Sequence, residues 1–151
     1  MGIRLPACKR RLLQVFGLLR GRPPAEQLDP SRTDLVLVVR GFDEVEACSA
    51  SLMRAAAWRQ DDPAVLRHHL RLSADAVVEA IRVVAQEDYL PVGGGPGVDG
   101  VLVLQRVQQL DALHCSQERS RMVGLAQRLG GEFLGWDGMQ APAVPRNASG
   151  R

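Results

Sequence analysis

Few side chains in this chain are of a type that does chemistry. The histidines are His68, His69 and His114, and the cysteines are Cys8, Cys48 and Cys115. His68 and His69 are adjacent, so on a strand they point to opposite faces and cannot chelate one metal together. His114 and Cys115 form a second adjacent pair, with no CxxC or other zinc-ligand spacing around either. Cys115 or Cys48 with a histidine is the arrangement a thiol enzyme needs, but no local signature of an activated thiolate accompanies them. The carboxylates Glu79, Glu87, Asp88, Glu118 and Glu132 are scattered, as on a solvated surface. No catalytic, cofactor-binding or metal-binding constellation emerges.

What positions the histidine pair is the most regular stretch of the chain. In Ala64 to Leu72, Leu66, His68, Leu70 and Leu72 alternate with Arg67, His69 and Arg71. A period of two describes a strand with one buried and one wet face. His68 therefore reads as a hydrogen-bonded core histidine. Arg67, His69 and Arg71 form a basic outer row, free to meet a partner. Ser73 is a helix N-cap, and Val77, Ile81 and Val84 give the following segment a helical stripe toward Tyr89, with Asp75 in the first turn.

Before this unit, Leu35 to Val39 is an apolar, β-branched run whose length favours a strand over the start of a helix. Asp43 is placed to cap a helix from Glu44 to about Gln60, with Val45, Cys48, Leu52, Ala55 and Ala56 as its stripe. After it come a short extended piece, Leu90 to Val92, and a glycine-rich loop, residues 93–100. That loop has no lysine and leads into a strand, Val101 to Val107, so it reads as a hairpin connection rather than a phosphate cradle. Ser116 to Leu129 has a core-facing stripe of Met122, Leu125, Ala126 and Leu129, stopped by Gly130-Gly131. Glu132 to Trp136 is expected to be a last short strand, with Asp137-Gly138 as its turn. Trp136 serves either as a core-capping aromatic or as an interface anchor.

The order strand, helix, strand, strand, helix, strand from Ala64 is that of an α+β, ferredoxin-like βαββαβ sandwich. The strand and helix before it are an N-terminal elaboration. The expected organisation is a basic N-terminal segment (1–25), a linker (26–33), one α+β domain (34–139) and a disordered tail (140–151).

The net charge of +2 conceals an asymmetry, because residues 1–25 hold six of the 19 basic residues and none of the 17 acids. The remaining 126 residues thus carry a net −4. An acidic body argues against broad phosphate contact. Residues 1–25 are arginine-rich, acid-free and amphipathic, the composition of a mitochondrial transit peptide, or of a basic helix lying on the domain. The first reading places the protein in mitochondria and the second leaves it in the cytoplasm. No apolar run reaches the ~20 residues that span a bilayer.

His68-His69-Leu70, followed by Ser73-Ala74-Asp75 and a helix ending near Tyr89, resembles the RraB-type protein inhibitors of bacterial ribonuclease E. So does the succession Gly100-Val101-Leu102-Val103, Met122-Val123-Gly124-Leu125-Ala126 and Gly131-Glu132-Phe133-Leu134-Gly135-Trp136. The resemblance covers roughly residues 52–138. It implies a ferredoxin-like fold, no catalysis, no cofactor, and action by binding a ribonuclease. Arg67, His69, Arg71 and Trp136 are the candidate partner-binding residues. The alternative is an organellar RNA-associated or assembly-factor module. Stacking of single-stranded RNA needs two or three aromatics on central strands, and Val101 to Val107 has none.

Overall fold

The computed structural model describes residues 28–144. The expected N-terminal segment, 1–25, and the last seven residues of the tail lie outside the described residues. Five strands and three helices follow one another as β1 (Val36–Gly41), α1 (Cys48–Arg54), β2 (Pro63–Arg71), α2 (Ala74–Val84), β3 (Leu90–Pro91), β4 (Val101–Gln109), α3 (Ala112–Arg128) and β5 (Glu132–Gln140). The strands form one sheet in the order β1-β5-β2-β4-β3, every neighbouring pair antiparallel. The architecture is α+β, and it is compatible with a ferredoxin-like arrangement carrying β1 as an added edge strand.

The alternation in β2 is realised from Leu66 onward, whereas Val65, on the face of Arg67, is itself completely buried. Ala64, Leu66, His68 and Leu70 are all completely buried. Leu70 packs with Val77, Ala80 and Val84 of α2, Leu102 and Leu104 of β4, and Met122, Leu125 and Ala126 of α3. Leu66 joins a second cluster with Val38, Val39, Cys48, Leu52, Leu110, Cys115 and Trp136. Helices and core therefore share one face of the sheet, and Arg67, His69 and Arg71 lie on the other. Ser73 caps α2, its hydroxyl accepting from the Ala76 N–H at 3.4 Å. A left-handed Gly130 (φ 68°) ends α3, letting the Gly131 N–H reach the Ala126 carbonyl at 2.8 Å.

The apolar run 35–39 joins the sheet as β1, paired with β5 through a bulge between Leu37 and Val39. The helix expected over 44–60 is only the seven residues of α1. Two tertiary contacts override its helical propensity beyond Ala55. Trp58 packs against the second core cluster, and the Gln140 side chain bonds the Arg59 N–H (3.0 Å) and carbonyl (2.9 Å). Val45, assigned to the apolar stripe, is 92% exposed. The last helix starts four residues earlier than expected, because Asp111 caps it by accepting from the His114 N–H at 2.8 Å.

The largest departure is in β5. Asp137-Gly138 is not a turn but the middle of a nine-residue strand that runs to Gln140, itself fully buried and so no part of a disordered tail. Gly138 serves close packing, since a Cβ there would stand 2.6 Å from Leu110 Cδ1 and 2.8 Å from Val39 Cγ1. Asp137 is a paired charge facing away from the core.

Candidate functional site on the open sheet face

The adjacent histidines of β2 serve two separate polar clusters, one on each face. On the helix side, His68 Nε2 lies 3.2 Å from Tyr89 Oη, and Tyr89 donates to Glu118 Oε2 at 2.8 Å. The one hydroxyl proton goes to the carboxylate, so the histidine must carry its own proton on Nε2 and donate to the tyrosine oxygen. His68 Nδ1 is then a buried acceptor with no partner among the described residues. Glu118 Oε1 faces Arg106 Nη2 at 3.1 Å and Arg121 Nη1 at 3.2 Å, and the Arg106 guanidinium lies 4.5 Å from the centre of the Tyr89 ring. Burial, and then the Arg106 charge, hold His68 neutral with a pKa of about 3. Burial likewise raises the Tyr89 phenol.

Cys115 lies deep in the core, where burial pushes its thiol up to about 12. Cys48 is buried too, and its thiol is raised for the same reason. Neither side chain has the lowered pKa of a nucleophilic thiolate.

On the open side, Asp137 gathers the basic row. Arg67 grips it with two parallel bonds, Nε to Oδ1 at 2.6 Å and Nη2 to Oδ2 at 2.8 Å, and His69 Nε2 meets Oδ2 at 2.8 Å. Burial of Asp137 opposes its ionisation, but the bonds from His69 and Arg67 outweigh it and hold the carboxyl below 3.8. Phe42, just beyond β1, lies on this cluster with its ring 5.0 Å from that of His69, and Arg40 sits 5.1 Å over the Phe42 ring. Gly135 makes room for that ring: its φ of 152° suits glycine, and a Cβ there would come within 2.6 Å of Phe42 Cδ1. Arg119 of α3 fixes the loop that follows Phe42, donating to the carbonyls of Glu44 (2.5 Å) and Glu46 (3.1 Å).

The expected partner-binding residues are thus only partly free. Arg67 and His69 are committed to Asp137, and Arg71 forms an exposed pair with Glu132 at 2.7 Å. Trp136 is 1% exposed and packs in the core against Gly41, so to anchor a partner it would have to leave the core. Arg40 and Phe42 escaped the sequence reading, although both directly follow the apolar run that became β1. Arg40 is exposed, is the cross-strand neighbour of Asp137, and has no ion pair among the described residues.

An Asp–His pair can orient an imidazole for proton transfer. Around this one, however, stand Arg67 and Phe42, with no hydroxyl or thiol in hydrogen-bond contact with His69 among the described residues. The cluster is a fixed, charged surface with an aromatic plate at its edge. No protein-family model, curated protein or solved structure matches the chain. No described helix is long and apolar enough to cross a membrane.

Proposed function

We propose that this chain is a non-enzymatic, protein-binding regulator of RraB-like, ferredoxin-like type, which modulates a ribonuclease or an RNA-processing assembly. The observation that carries the proposal is the open-face cluster. A buried carboxylate locks Arg67 and His69 in place, and beside them Arg40 and Phe42 are held at the surface. Preorganised arginine and aromatic side chains contribute most to protein interfaces, because little entropy is lost in ordering them. Two features support the rest of the proposal. The strand order β5-β2-β4-β3, with α2 and α3 on one face, is compatible with a βαββαβ sandwich. The raised thiols of Cys48 and Cys115 and the neutral, enclosed His68 favour structural over catalytic roles for these groups.

Phe42 and its cationic neighbours favour a second reading, an RNA-associated module. It is the weaker one, because the central strand β4 turns Val101, Val103, Gln105 and Val107 to the open face rather than aromatics.

The test combines capture and turnover. Tagged full-length chain is expected to recover a protein partner stoichiometrically from the cells that make it. Salt-sensitive RNA binding without a protein partner would favour the second reading. Turnover of a small molecule would overturn both. The mitochondrial placement has its own test: sequencing the N-terminus of the cellular protein should find a start downstream of about residue 22, whereas an intact Met1 in a cytosolic fraction would contradict it.

A further inference from the structure

The two edges of the sheet are unlike. β3 is two residues long and carries Pro91, which has no N–H to offer, so that edge is blunted. The opposite edge is β1, Val-Leu-Val-Val-Arg-Gly, which has no proline and no strand beside it among the described residues. Its Leu37 and Arg40 stand opposite Met139 and Asp137, so both face the open side of the sheet. Val36, Leu37 and Phe42 are 41%, 44% and 40% exposed. An apolar edge that presents unpaired N–H and C=O groups is a template for another strand.

We propose that the free edge of β1 takes an extended, acidic segment of a protein partner as a sixth strand, with a carboxylate meeting Arg40 and an apolar side chain lying on Leu37 and Phe42. This deepens the protein-binding proposal and rests on it. Charge selects the occupant. Arg67 is already neutralised by Asp137, which leaves Arg40 as the cation of the cluster with no ion pair among the described residues. A second copy of the chain pairing through β1 brings one arginine and no acid within the strand, and its flanking Asp34 and Asp43 are already bonded to Arg32 and to the Val45 N–H. A nucleic acid needs several unpaired cations along its backbone, and this edge has one.

The test uses the full chain and a fluorescein-labelled peptide of alternating valine and glutamate capped by threonine, with a lysine-for-glutamate peptide as control. Backbone hydrogen exchange read by NMR locates the binding. The glutamate peptide should protect β1 amides, bind more tightly at low salt, and lose about tenfold in affinity on Arg40→Glu, as expected when attraction becomes repulsion at an exposed charge. Leu37→Lys, an exposed change on the same strand, should weaken it as well. Equal binding of the lysine peptide would overturn the inference. So would protection of β1 by a uridine-rich RNA instead of peptide, or protection that rises with protein concentration alone, the mark of a second copy. If no peptide binds while captured partners are retained equally by wild type and Arg40→Glu, this inference falls and the broader protein-binding proposal stands.

Discussion

Tyr89 is the keystone of the buried network, and Tyr89→Phe removes one oxygen while leaving the ring. Phenylalanine keeps the 4.5 Å contact with the Arg106 guanidinium and fills the same space. What goes is the acceptor for His68 and the donor to Glu118. Glu118 keeps Arg106 and Arg121, so the heavier loss falls on His68, whose Nε2–H is stranded in a fully buried site. One lost hydrogen bond plus a buried unsatisfied donor amount to about 2–4 kcal/mol. For a domain of this size that is a fall in Tm of about 10 °C. Urea unfolding followed by the fluorescence of Trp58 and Trp136 measures it. A double-mutant cycle with His68→Leu sharpens the test: once both polar partners are gone the penalty for stranding disappears, so the double mutant should be more stable than the sum of the single losses implies. Tyr89→Phe within about 0.5 kcal/mol of wild type, or strict additivity with His68→Leu, would refute the network as drawn.

Other consequences follow from the same geometry. His68 is held neutral with a pKa of about 3 against 6.5 when unfolded, so its contribution is fully present above pH 6.5 and is lost as the pH falls toward 3. Stability should drop by about 1.4 kcal/mol per pH unit through that window, and His68→Leu should flatten the slope, as equilibrium unfolding at several pH values will show. Asp137→Ala strands the part-buried Arg67 and His69 and should cost about 3 kcal/mol by urea titration. Gly135→Ala should expel Phe42 from its seat, visible as loss of the ring-current shift on His69, at a cost of about 1–3 kcal/mol. Arg71→Gln breaks an exposed pair with Glu132 and should change stability by less than about 1 kcal/mol.

The element order was legible because its signals are local. The alternation of β2, the Ser73 cap and the Gly130 stop each act within a few residues, and each appears in the structure. What escaped depended on contacts distant in sequence. Asp137-Gly138 has the letters of a turn, but its strand conformation comes from Arg67 and His69, seventy and sixty-eight residues away, and from the tight approach of Leu110 and Val39 to Gly138. The helix after Glu44 looked long because propensity is additive along the chain, whereas Trp58 and Gln140 act across it. For the site, the period of two correctly separated His68 from His69, and the burial of one was foreseen. That the outer basic row would be largely neutralised was not, since the neutralising carboxylate was hidden in the supposed turn. Arg40 and Phe42 had no periodic signal; they acquire meaning only when β1 is placed beside β5.

The proposed function rests on binding that changes the behaviour of another protein. Its most direct test is the rate at which a ribonuclease E-type endonuclease cleaves a standard RNA in the presence of increasing amounts of the purified full chain. A saturable, stoichiometric change in rate that weakens on Arg40→Glu is expected, with no RNA retained by the chain alone. An unchanged rate at saturating chain, with no complex detectable by sedimentation, would contradict it.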